Sequence, residues 1–169
     1  MIRKQSISIT VLLVSAFIYA SSCSSSKNAG SAVANRSDIK GTWVLDDVNY
    51  DGVPQGQNVK LTLLGEGDAT CLKGSTWILP NNGNGSYTIQ QNESTNCTPG
   101  ERSIVWSYRE NNGQPVFQYK RLPGGVKAKD VTDGYRFDIV STSETSMVLR
   151  SNVPYEGNTI NITYTFSKR

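Results

Sequence analysis

The stretch Thr159-Ile160-Asn161-Ile162-Thr163-Tyr164-Thr165-Phe166-Ser167 decides the fold. In an extended chain successive side chains point to opposite faces. Ile160, Ile162, Tyr164 and Phe166 then share one face, and Asn161, Thr163 and Thr165 share the other. The same alternation recurs upstream, where Tyr135, Phe137 and Ile139 oppose Arg136 and Asp138. One apolar face and one wet face is the pattern of antiparallel sheets.

Working outward, short runs of this kind recur between turn residues. They predict strands at Thr42–Tyr50, Val59–Leu64, Ser75–Leu79, Ser86–Gln90, Ser103–Tyr108, Pro115–Lys120, Tyr135–Val140, Ser146–Ser151 and Thr159–Ser167. The turns between them include Asp51-Gly52, Gly65-Glu66-Gly67 and Asn111-Asn112-Gly113. From Asp38 onward only Ala69 and Ala128 are alanines, and no segment keeps a 3.6-residue period, so little helix is expected. Consecutive strands on short hairpins predict an all-β fold, an antiparallel up-and-down barrel of 8–9 strands. Closure would remove the exposed sheet edges. A two-sheet sandwich has the same local signature and stays open on periodicity alone.

The N-terminus reads as an address. Arg3 and Lys4 precede an apolar run from Ile7 to Ala20, too short to span a bilayer comfortably, which ends in Ala20-Ser21-Ser22 before Cys23. That junction resembles the lipobox of bacterial lipoproteins, with alanine where leucine is usual three residues before the cysteine. The expected division is a signal peptide over 1–22, a lipidated Cys23 with a flexible tether to 38, and the domain over 39–169. An ordinary secretory signal, with Cys23 incidental, is the alternative. Several acyl chains on Cys23 would anchor the protein stably in a membrane. The expected location is the cell envelope, on the outer membrane, with the leaflet left open.

Once Cys23 is assigned to lipid, Cys71 and Cys97 remain as a pair, and in an oxidising compartment a disulfide between them is expected.

The chain has 169 residues, 17 Lys+Arg, 14 Asp+Glu and no histidine. The missing histidine removes Ser-His-Asp and Cys-His nucleophilic pairs and His-containing zinc sites. Near-balanced charge argues against nucleic acid as a partner. Asp47-Val48-Asn49-Tyr50-Asp51-Gly52 matches the first half of a calcium loop, but Asn58 at the twelfth position supplies no carboxylate, so it reads as a strand end and an Asp-Gly hairpin turn. Asp46 and Asp47 are expected on opposite faces of a strand, which separates them as a carboxylate pair. No metal, cofactor or catalytic set is indicated. The basic stretch Lys120–Lys129 reads as a long hairpin loop that could meet anionic head groups or a carboxylate-bearing ligand.

Gly41-Thr42-Trp43 at the start of the first strand resembles the Gly-x-Trp motif that opens lipocalin barrels, and Thr132-Asp133-Gly134-Tyr135 resembles the lipocalin Thr-Asp-Tyr motif with a glycine inserted. The layout is similar to the lipocalin-like lipoproteins of Bacteroidota-type bacteria. The resemblance implies a non-enzymatic barrel holding a small hydrophobic or amphipathic ligand. It makes Trp43 structural at the closed end and Arg150 the late cation that stacks on it. Trp77, Trp106, Tyr108, Phe117, Tyr119, Tyr135 and Phe137 are the expected lining, since mostly apolar rings with a few polar tips suit such a pocket. The rival reading is a barrel filled solid, whose loops dock an envelope protein partner. An interior plugged by Trp77, Trp106 and Tyr119 would sink the reading of a ligand carried in the barrel.

Overall fold

A computed structural model describes residues 34–55, 59–91 and 97–169. Cys23, the leader and most of the tether lie outside them. Eight strands follow one another: β1 (Gly41–Asp51), β2 (Thr76–Leu79), β3 (Asn84–Ile89), β4 (Gly100–Asn111), β5 (Gln114–Arg121), β6 (Tyr135–Thr142), β7 (Ser146–Tyr155) and β8 (Asn158–Lys168). Each is antiparallel to the next, and β1 pairs with β8 to close the barrel. A single closed sheet replaces the sandwich alternative.

The decisive stretch behaves as its pattern dictates. Ile160, Ile162, Tyr164 and Phe166 on β8 are buried, and Leu149 and Met147 of β7 lie opposite Tyr164 and Phe166 in register. A bulge between Leu45 and Asp47 shifts the β1 register by one residue. Trp43 and Leu45 point inward before it and Val48 after it. The extra residue keeps both Asp46 and Asp47 outside, against the expectation of opposite faces. They bind different partners: Asp46 accepts from the Ser167 hydroxyl at 3.0 Å, and Asp47 accepts from Lys73 at 2.7 Å and from the Asn49 side-chain amide at 2.7 Å. The hydrogen bonds from Lys73 and Asn49 hold the Asp47 carboxyl below its ordinary range.

Two expectations are corrected. Val59–Leu64 is not a strand: its only ladder contact is an isolated bridge from Leu63 to Gly67. Leu63 and Leu64 are buried, and Val59 and Leu61 partly buried, against the core at one end of the barrel, which alternation alone does not distinguish from burial in a sheet. Nor is Asp51-Gly52 a hairpin turn, since β1 leads into this long crossing segment. Gly52 is needed there, at φ +86°, where a Cβ would stand 2.6 Å from the Thr159 carbonyl oxygen.

The described residues before β1 include a helix. Asn35 caps a short helix, α1 (Arg36–Ile39): its side chain accepts from the Ser37 N–H at 2.8 Å, and Asp38 accepts from the Asn35 N–H at 2.9 Å. Ala34 and Ile39 are buried, so the short segment around α1 closes one end of the barrel. Full burial of Ile39 is worth about 1.5–3 kcal/mol.

The same end holds the tight β2–β3, β4–β5 and β6–β7 connections. At the first of these the backbones crowd. A Cβ on Gly85 would lie 2.3 Å from the Ile78 carbonyl oxygen, whereas one on Gly124 meets nothing within 4 Å. Gly85→Ala should therefore cost about 1–3 kcal/mol by forcing backbone apart. Urea unfolding beside Gly124→Ala checks this, and equal stabilities would refute it.

Candidate ligand site at the barrel mouth

The structure brings the predicted lining residues together, but on one another. Trp77 stacks on Tyr87 with ring centroids 4.5 Å apart, and meets Tyr119 and Phe166 edge-on at 5.4 and 5.8 Å. Tyr119 is parallel to Phe137 at 6.0 Å and stacks on Tyr135 at 4.9 Å, while Phe117 contacts both Tyr119 and Phe137. Each well-oriented pair adds about 0.5–1.5 kcal/mol beyond its area. Four of the seven, Trp77, Phe117, Tyr119 and Phe137, thus fill the middle of the barrel. Trp106 and Tyr108 serve the α1 end: the Arg36 guanidinium lies 4.3 Å over the Trp106 ring, and the Tyr108 hydroxyl donates to the Ala34 carbonyl at 2.6 Å. A hollow of about 300 Å³ borders β4, β5 and β6. Its outward-facing residues Ser107, Arg109, Gln118 and Arg136 place it against the outside of the wall.

Trp43 sits at the α1 end, fully buried, with its Nε1–H donating to the Ile39 carbonyl at 2.7 Å. The cation over its ring is Lys168, at 5.1 Å. Arg150 is exposed on β7, opposite Asp138 and Thr163, so its expected role falls to Lys168. The reason is register: β8, not β7, runs beside β1, and Trp43 pairs directly with Lys168.

The opposite end is built differently. The long β1–β2 crossing segment lies over it and turns at Leu63–Gly67, where the Glu66 N–H donates to the Leu63 carbonyl at 2.9 Å. Leu63 and Leu64 are buried against the core, and the Glu66 side chain, 4 % exposed, points in among the wall strands. Three strands supply its partners. From β4, Arg102 donates through Nη2 at 2.8 Å and Nε at 3.2 Å. From β5, Arg121 approaches with Nη1 at 3.0 Å, and from β3 the Tyr87 hydroxyl donates at 2.6 Å. Tyr135 of β6 is close by, since a Cβ on Gly65 would lie 2.9 Å from its hydroxyl. A second helix, α2 (Ala69–Leu72), anchors the segment through Cys71, which is bonded to Cys97 as expected.

The electrostatics follow from this packing. Burial alone would raise the Glu66 carboxyl, but hydrogen bonds from Arg102 and Tyr87 and the charges of Arg121 and Arg102 outweigh it and hold the group low. Burial and the adjoining carboxylate push the Tyr87 phenol far up. Burial likewise raises Tyr119 and takes Tyr164 to about 12. Because Glu66 is lowered, its stabilisation is in place above the unfolded glutamate value of about 4.3 and is lost as pH falls through the lower folded value. The stability gap between the protein and Glu66→Gln should therefore shrink between pH 6 and pH 3. Urea midpoints at both pH values read this, and a constant gap would contradict it.

Sequence reasoning placed Arg121 in a basic stretch that could meet a carboxylate-bearing ligand but missed Glu66, Tyr87 and Arg102. The Gly-Glu-Gly turn was visible; nothing local marked its glutamate as buried.

The profile of the lipocalin-like domain matches residues 39–149. The chain belongs to the lipocalin-like domain family. A lipocalin-like barrel suggests binding of a small hydrophobic ligand, and the family and its fold are typically non-enzymatic. None of the curated proteins compared with the chain matches it. Solved structures similar to this lipocalin-like barrel include bovine odorant binding protein complexed with its natural ligand and with undecanal. Each is 15% identical with a TM-score of 0.40, covering 80% of this chain and 74% of the other.

Proposed function

We propose that this protein is a lipid-anchored binding protein of the bacterial cell envelope that takes a small hydrophobic or amphipathic ligand at the barrel mouth. One observation carries the reading: the aromatic interior is covered at the mouth by a separate crossing segment, not by the barrel wall. A ligand enters by moving the Leu63–Gly67 turn, and the ring-packed interior forms the floor of its site. In this reading the leader directs export and acyl chains on Cys23 supply the membrane anchor, and the Cys71–Cys97 bond suits an oxidising compartment.

Native mass spectrometry of the protein purified from its envelope tests ligand carriage. A reproducible bound small molecule is expected. A clean apo mass would support the second reading, a filled barrel that docks an envelope partner, which the close ring packing of Trp77, Tyr87 and Tyr119 favours. Cys23→Ala should move the protein from the membrane to the soluble fraction, and retention on the membrane would refute the anchor.

A further inference from the structure

At the mouth the Glu66 carboxylate is held by donors from the barrel wall. Among the described residues the donors around Glu66 belong to the barrel wall: Arg102 on β4, Arg121 on β5 and Tyr87 on β3. The acceptor belongs to the crossing segment. Two guanidiniums face this one carboxylate, and planar guanidinium forks match carboxylate geometry.

Three further observations separate this from an ordinary buried ion pair. The turn that delivers Glu66 carries Leu64 at φ +53°, a left-handed conformation unfavourable for a bulky residue, so its contacts hold it in place. Leu63 and Leu64 sit over the core beside Glu66, so the turn presents an apolar body next to an acid group. One inward position below Arg121 on β5, the Tyr119 hydroxyl is buried with no hydrogen-bond partner among the described residues. A donor without an acceptor in an aromatic interior is costly, and the Glu66 carboxylate, held on Arg102, Arg121 and Tyr87, does not supply one.

We propose that the mouth is a receptor site for an amphipathic carboxylate, with Glu66 its built-in occupant, and that the ligand binds by displacing Glu66, Leu63 and Leu64 together. This rests on the small-ligand reading above and names the ligand class. The ligand's acid group replaces Glu66 on Arg102, Arg121 and Tyr87. Its apolar body replaces the two leucines, which is what lets it compete against a tethered carboxylate.

The test uses the fluorescent acid cis-parinarate and its methyl ester on the full chain and on Glu66→Ala. The acid should bind the variant at least tenfold more tightly than the parent, with the ester changed less than twofold, and adding Arg121→Ala should abolish the gain. Glu66→Gln, which retains an acceptor for Tyr87, should show the same order if the alanine variant folds poorly. Equal gains for acid and ester, or a gain indifferent to Arg121, would overturn the carboxylate site and leave the small-ligand reading standing. Should neither probe bind any form, the small-ligand reading falls, and sodium acetate decides the site by itself. Melting of Glu66→Ala raised by acetate over chloride, with no rise in the parent, supports the site; no rise overturns it.

Discussion

Trp43→Ala should be among the most damaging single substitutions in the domain, costing about 3–5 kcal/mol and lowering the melting temperature by on the order of 10–20 °C. Three losses combine. The fully buried indole leaves a cavity at the closed end, between β2 and β8. The Ile39 carbonyl loses the Nε1–H that reached it at 2.7 Å. The Lys168 ammonium loses the ring it lies over. Trp43→Phe separates these, because it keeps most of the volume and removes only the donor, at about 1 kcal/mol. Urea unfolding of both variants gives the comparison. An alanine variant within 1 kcal/mol of the parent would mean that α1 closes the barrel without the tryptophan.

The residues that fix this end were partly legible. Gly41-Thr42-Trp43 pointed to a buried tryptophan opening the first strand, and the strand alternation through β6 and β8 is burial expressed as sequence. The resemblance put Arg150 over the ring, whereas the cation found there, Lys168, depends on which strand closes against β1, a long-range fact. Asn35-Arg36-Ser37-Asp38 carried a readable signal, since an asparagine followed three residues later by an acid is a helix N-terminus. The low-complexity stretch before it masked that signal.

The mouth was less legible for a physical reason. Alternation reports which residues are buried, not what covers them. Val59, Leu61 and Leu63 alternate as a strand would, yet they meet the barrel end rather than a sheet neighbour. Glu66 is a single acid between two glycines, and its burial depends on two arginines and a tyrosine 21 to 55 residues away along the chain, on three different strands. Most of the aromatic residues expected as a lining pack on one another, with Tyr108 and Tyr135 only partly buried. Whether rings line an open cavity or fill it is a matter of volume, which composition does not contain.

Removing the disulfide should produce the second large effect, and one that shows first at the mouth. Cys71 and Cys97 are separated by 26 residues, so the bond closes a loop worth about 3–4 kcal/mol on the chain-entropy account. The double variant Cys71→Ala/Cys97→Ala should lose that much in urea unfolding. Reduction of the parent should reproduce it, since Cys71 is buried and alanine leaves no polar group behind. The bond ties the foot of the crossing segment to the β3–β4 connection, while β6, β7 and β8 hold one another through their own ladders. Hydrogen exchange should therefore quicken first at the Leu63 and Glu66 amides that close the turn, with the β7–β8 amides slowest to follow. Uniform acceleration across the barrel would mean the bond supports the whole fold rather than the cover of its mouth. Acceleration limited to the turn would show that the crossing segment opens apart from the barrel, as entry of a ligand past Glu66 requires.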